Sequence, residues 1–306
     1  MSLLDRAIAW SLSFVPRSIV GRFSRRYIAG TQVDDALETS RSLRAAGARV
    51  TLDILGEFIE TLDQATRNTA AYRDLLRRIE ESGLSDTNVS VKLTALGLLL
   101  DHDACRENLR MLLRDAADRD NFVRLDMEDS SCTDGTLTLY REMRREFPGR
   151  VGCVLQSRLR RTLEDVESLI DEPLSVRLCK GIYLEPRSIA YTDPDRIREK
   201  FVQGLDRLFA AGAYVGIATH DEILVREAER LIRERGVRKD GYEFQMLLGV
   251  LEGMRATLID AGHPLRVYVP YGKDWYAYSV RRLKENPQIA GHAFRAFFRR
   301  SGTSGS

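Results

Sequence analysis

Residues 151–179 read VGCVLQSRLRRTLEDVESLIDEPLSVRLC, one full cycle of the pattern that decides the fold. A short β-rich run at 151–155 leads into RTLEDVESLI, a charged stretch whose apolar residues return at three and four positions, and then into a second run at 175–179. Parallel strands joined by crossover helices produce this rhythm. Working outward, the same reading places strands at 49–55, 88–93, 122–127, 214–217, 241–246 and 266–269, with REMRREF and EILVREAERLIRERG among the helical segments between them. Eight cycles in 306 residues predict one α/β chain folded as a (β/α)8 TIM-type barrel, an architecture that takes about 250 residues plus additions.

The boundaries that follow are a helical addition over 1–46, packed on the barrel, a barrel over 47–300, and a disordered tail, SGTSGS, over 301–306. Within the addition, ALETSRSLRAAG carries a glycine stop just before the first strand. Its start mixes Trp10, Phe14, Ile19 and Phe23 with Arg17, Arg22, Arg25 and Arg26. Such a stretch either packs its apolar residues on the barrel with solvated arginines or lies on a membrane surface.

Composition narrows the function. Hydrophobic residues at 43% and charged residues at 30% describe a chain that can bury a sizeable core. A net charge of +2 supplies no global field for nucleic acid, so any anion recognition is local. Cys105, Cys132, Cys153 and Cys179 form no CxxC or Cys/His pattern, which argues against a metal site and for a reducing cytoplasm. No apolar run reaches the roughly 18 residues of a membrane span, and the start lacks a signal peptide.

In this fold the chemistry sits at the C-terminal ends of the strands. Polar residues gather there: Lys92 on strand two, Asp126 and Glu128 on strand three, Gln156 on strand four, Arg177, Lys180 and Tyr183 on and after strand five, Thr219 and His220 after strand six, and Tyr268 on strand eight. Taken singly, Lys92 is as readily a structural partner of Asp126, and His220 a residue at a helix start. Gly181, set among basic residues, either relaxes a turn or lets a phosphate approach the backbone. The stretch YGKDWYAYSVRRLKENP reads as a helix over 273–284. Arg281 and Arg282 point about 100° apart on it, with Glu285 near enough to brace them. Paired guanidiniums are either solvated surface charge or a carboxylate clamp, and the surrounding Tyr268, Trp275, Tyr276 and Tyr278 favour a pocket.

The segments VSVKLTALG, LDMEDS, VLQ, RLCKGIYLEP, ATHD, FQMLLGV and VYVPYGKDWYAYSVRRLKENP, in this order, resemble the proline dehydrogenase family across nearly the whole barrel. That resemblance implies an FAD-dependent oxidation of L-proline to 1-pyrroline-5-carboxylate by hydride transfer from ring carbon C5. It implies that Arg281, Arg282 and Lys92 bind the proline carboxylate, that Asp126 pairs with the first arginine and Glu285 with the second, and that Tyr183, Tyr268 and Leu247 wall the substrate ring. Gln156, Arg177, Lys180, Gly181, Thr219 and His220 fall on the family's FAD positions, with Arg177 expected near the flavin ring and Lys180 near the pyrophosphate. It further implies a quinone as electron acceptor, peripheral contact with the inner face of the membrane, and hand-over of the product to a separate pyrroline-5-carboxylate dehydrogenase. Ser157, Arg158, Ile182 and Leu248 depart from the family's usual residues. The residues alone leave two rivals: a Schiff-base lyase using Lys92 or Lys180, and an amino-acid-binding barrel without flavin.

Overall fold

Alternation along each strand sends one set of side chains to the helices and the other into the barrel. The computed structural model describes residues 21, 24, 26–56, 59–171, 173–276, 278 and 279. Within it, α1 (Val33–Ala45) leads into a cycle of β1 (Arg49–Ile54), α2 (Leu62–Glu81), β2 (Thr87–Lys92), α3 (His102–Asp118), β3 (Val123–Asp126), α4 (Ser130–Glu146), β4 (Val151–Gln156) and α5 (Thr162–Glu167). The cycle continues through β5 (Ser175–Cys179), α6 (Pro194–Ala210), β6 (Tyr214–Ala218), α7 (Glu222–Arg235), β7 (Tyr242–Leu247), α8 (Glu252–Asp260) and β8 (Leu265–Tyr271). The strands run parallel in chain order, and β8 pairs with β1 to close the barrel.

Each expected strand is present, shifted by at most two residues at its ends. The RTLEDVESLI segment is helical only to Glu167. Of the expected 1–46 addition, α1 is described, with Gly47 following it; residues 1–20 lie outside the described residues. Among the described residues no helix is long and apolar enough to cross a membrane.

Outward-facing strand residues such as Leu52, Val91, Leu125, Cys153, Leu178, Ile217, Phe244 and Val267 are at most 1% exposed and form one core with the helices. Local signals hold those helices in place. Thr61 caps α2 by accepting from Gln64 N, while Asp129 and Asp221 cap α4 and α7 through Ser131 N and Ile223 N, each such cap contributing about 1 kcal/mol. The barrel interior departs from the usual apolar filling. Its cross-strand contacts join Asp53, Ser90, Lys92, Asp126, Arg177, Glu243, Gln245, Arg266 and Tyr268, so the space inside is organised by charge and hydrogen bonds.

Candidate active site

A cavity of about 600 Å³ opens at the C-terminal ends of the strands. The residues given a substrate or cofactor role that lie among the described residues all border it: Lys92, Asp126, Gln156, Arg177, Lys180, Gly181, Tyr183, Thr219, His220, Leu247 and Tyr268. Glu128 does not, being buried with its carboxylate accepting from Thr94 N and Oγ1. Tyr278, on the helical turn that begins at Trp275, borders it too. Arg281, Arg282 and Glu285 lie outside the described residues.

The floor of the cavity is an ion network. Arg177 donates to Asp126 Oδ1 through Nη1 (2.6 Å) and to Gln245 Oε1 through Nε (2.5 Å), and its guanidinium lies 5.3 Å from the Tyr268 ring centroid. Ser90 Oγ and Tyr268 OH also donate to Asp126, at 2.5 and 2.7 Å. Burial by itself would raise the Asp126 pKa, but Arg177, then Lys92, then these two hydroxyls hold it below the ordinary carboxylate range. Asp126 is therefore a fixed anion, not a proton acceptor. The Tyr268 phenol is pushed well above its normal range by burial and by the charge of Asp126, so it remains a donor.

Lys92 sits opposite Asp126 in register, yet its nearer partner is Asp53 on β1, at 3.1 Å against 3.8 Å for Asp126. Pairing with Asp126 is one of the two roles that the sequence allows Lys92; Asp53 is a partner that the sequence pattern does not single out. The clue was available: Asp53 is an acidic residue between Leu52 and Ile54 at the C-terminal end of strand one, the position that drew notice on other strands. Asp53 is 1% exposed and also accepts from Tyr72 OH at 3.1 Å. Burial raises its pKa against the pull of Lys92, and the nearby Asp126 charge adds to the rise. Ser90 and Gln245, likewise unremarked in the sequence, complete the network. Gln245 Nε2 donates to Glu243, which carries the connection down to the next layer of the barrel.

The remaining candidates line the side served by β4 to β7. Gln156 Nε2 donates to Glu128 O at 2.7 Å. Gly181 has φ +90, and a Cβ there would sit 2.5 Å from Gln156 Oε1, so backbone takes the place of a side chain at that point of the wall. Lys180 Nζ lies 3.0 Å from Asp221 Oδ2, an oxygen shared with Arg198 Nε at 2.8 Å, while Asp221 N donates to Thr219 Oγ1. His220 Nε2 accepts from Leu247 N at 3.0 Å, which assigns the ring proton of the neutral form to Nδ1. Arg158, one of the departures from the family pattern, donates to the carbonyl oxygen of Tyr183 at 2.8 Å and steadies the loop that carries that aromatic ring.

Comparison with known proteins identifies the family. A sequence model described as proline dehydrogenase matches residues 36–293. The proline dehydrogenase of Deinococcus radiodurans is 35% identical over 278 residues, covering 90% of this chain and 89% of that protein. Proline dehydrogenase 2 of Bacillus subtilis (strain 168) is 34% identical over 270 residues, 88% of each. Among solved structures, proline utilization A from Bdellovibrio bacteriovorus, inactivated by N-propargylglycine, superposes with a TM-score of 0.82 at 27% identity, covering 86% of this chain and 32% of that one. Proline utilization A from Corynebacterium freiburgense shares the fold, with a TM-score of 0.78 at 24% identity over 95% of this chain and 34% of that one. This chain thus spans about a third of those proteins but nearly nine tenths of the curated relatives. With a closed parallel barrel, a polar interior and relatives of this likeness, the chain belongs to the proline dehydrogenase family.

Proposed function

We propose that the C-terminal mouth of the barrel oxidises L-proline to 1-pyrroline-5-carboxylate with bound FAD, and that a membrane quinone takes the electrons onward. The observation that carries this reading is the convergence of the described candidates on one cavity whose floor holds a lysine and an arginine beside a fixed carboxylate. The donor set suits a flavin dinucleotide: Gly181 offers bare backbone beside Lys180 for a pyrophosphate, and the arginine on the floor suits the negative charge of a reduced flavin. Gln156, Arg177, Lys180, Gly181, Thr219 and His220 would hold it. When bound, FAD supplies the hydride acceptor.

The chain's own residues position the substrate. Lys92 takes the carboxylate together with Arg281 and Arg282, with Glu285 bracing the second arginine. Tyr183, Leu247 and Tyr268 wall the pyrrolidine ring and keep water from it. Asp126, committed to Arg177, Ser90 and Tyr268, holds the floor rigid.

Support for a separate enzyme consuming the product is the coverage of relatives that carry the proline dehydrogenase name alone. Contact with the inner face of the membrane rests on the basic, aromatic N-terminal stretch, and liposome co-sedimentation of chains with and without residues 1–30 tests it. The decisive experiment is anaerobic addition of proline to the purified protein. Bleaching of a flavin spectrum supports the reading; proline binding without bleaching, or borohydride trapping of substrate on Lys92 or Lys180, overturns it.

A further inference from the structure

The opposite end of the barrel holds a second cavity, about 660 Å³, and the hydrogen-bonded row Arg177, Gln245, Glu243 runs between the two. Its lining carries the charged residues Arg124, Arg144, Arg145, Arg266 and Glu243 together with an apolar group that includes Pro148, Pro173 and Leu174.

Arg124 is 3% exposed and makes three hydrogen bonds, all to neutral oxygens. Nη1 donates to Cys153 O (3.0 Å) and Ser175 O (2.8 Å), and Nη2 donates to Ser175 Oγ (3.0 Å). Among the described residues no carboxylate stands within ion-pair distance of it. Glu243, the acid on the same wall, is already engaged by Arg266 (2.6 Å), Arg49 (3.3 Å) and Gln245 (2.7 Å). Burial, then the like charge of Arg177, pulls the Arg124 pKa down to about 10, which leaves it protonated at neutral pH. A buried cation normally has an anionic partner.

The guanidinium is also held in place. Gly152 faces it across the strand pair, where a Cβ would run into Arg124 Nη1, and the Phe122 ring centroid lies 4.8 Å from its central carbon. Both Nη1 protons are committed, so the edge formed by Nε–H and the second Nη2 proton remains, the edge that grips two oxygens side by side. The cavity is far larger than a single inorganic ion, and the apolar part of its lining, Pro148, Pro173 and Leu174, offers burial for a hydrocarbon body.

We propose that the N-terminal mouth of the barrel binds a small organic carboxylate, with its two oxygens on Arg124 and its apolar body against Pro148, Pro173 and Leu174. This inference does not rest on the oxidation proposed for the other mouth.

The test is calorimetric titration of cofactor-loaded, full-length protein with butyrate, and separately with inorganic phosphate, in a chloride-free sulfonate buffer. Butyrate should saturate a site with a Kd of ~1 mM. Because the active site also takes a carboxylate, the same titration is run on Lys92→Met, where this site should persist. It should weaken by about tenfold or more in Arg124→Met. Leu174→Trp fills the cavity while leaving Arg124 in place; it should weaken binding equally and decides the matter if Arg124→Met does not fold. Absence of saturable binding, or binding lost in Lys92→Met but kept in Arg124→Met or Leu174→Trp, overturns the proposal. Phosphate competing with butyrate on equal terms would overturn the assignment to an organic carboxylate.

Discussion

Replacing Arg177 with methionine probes the floor network most directly. The guanidinium is 8% exposed as a residue and sits 2.6 Å from Asp126 Oδ1. At an effective dielectric constant of 20, that separation corresponds to a gross attraction of about 6 kcal/mol. Lys92, 3.8 Å from the other oxygen, would still contribute about 4 kcal/mol by the same rule. The net cost of Arg177→Met is smaller than the gross term because the arginine's own desolvation is relieved; breaking a buried pair costs about 3–5 kcal/mol. Removing the stranded charge as well should recover much of this. In a double-mutant cycle with Asp126→Asn, measured by urea unfolding of the apo and FAD-loaded proteins, the coupling energy should reach about 2–3 kcal/mol in both forms. If the two single substitutions add within about 0.5 kcal/mol, the pair is not the joint unit described here and the account of the floor fails.

Three further outcomes follow from other residues. Asp53→Asn removes the nearer anchor of Lys92, and since that lysine is proposed to meet the substrate carboxylate, the proline KM should rise by about tenfold with flavin content and kcat little changed; steady-state kinetics showing a fall in kcat alone would count against a positioning role. Glu243 is lowered to about 2 from 4.5, with burial opposed and outweighed by Arg266, so its stabilisation is complete above pH 4.5 and is lost as pH falls towards 2. That loss is worth about 3 kcal/mol; Asp126 acts in the same direction and the raised Asp53 in the opposite one, so Glu243→Gln should flatten the acid limb of urea midpoints plotted against pH, and an unchanged limb would refute the assignment. Gly181→Ala places a Cβ 2.5 Å from Gln156 Oε1 in a conformation that costs a non-glycine residue about 1–2 kcal/mol, and the visible-to-ultraviolet absorbance ratio should show reduced FAD occupancy; full occupancy would mean the glycine is no part of the cofactor wall.

The sequence by itself determined the architecture. Strand runs such as 175–179 and helical periodicity such as EILVREAERLIRERG are local patterns, set by which faces must leave water, and eight repetitions admit few arrangements other than a closed barrel. It also marked the strand ends where polar residues gather, because a charge amid an apolar run is visible without coordinates. Partnership was another matter. Lys92 turns to Asp53, 39 residues earlier, and Arg177 reaches Gln245, 68 residues later, contacts that exist only once the barrel closes. Arg124 looked like any strand arginine until folding buried it against two backbone carbonyls with no acid within ion-pair distance among the described residues. The physical reason is that hydrophobic burial is read from single residues and their spacing, whereas an ion pair depends on distance and shared desolvation, which only the three-dimensional structure supplies.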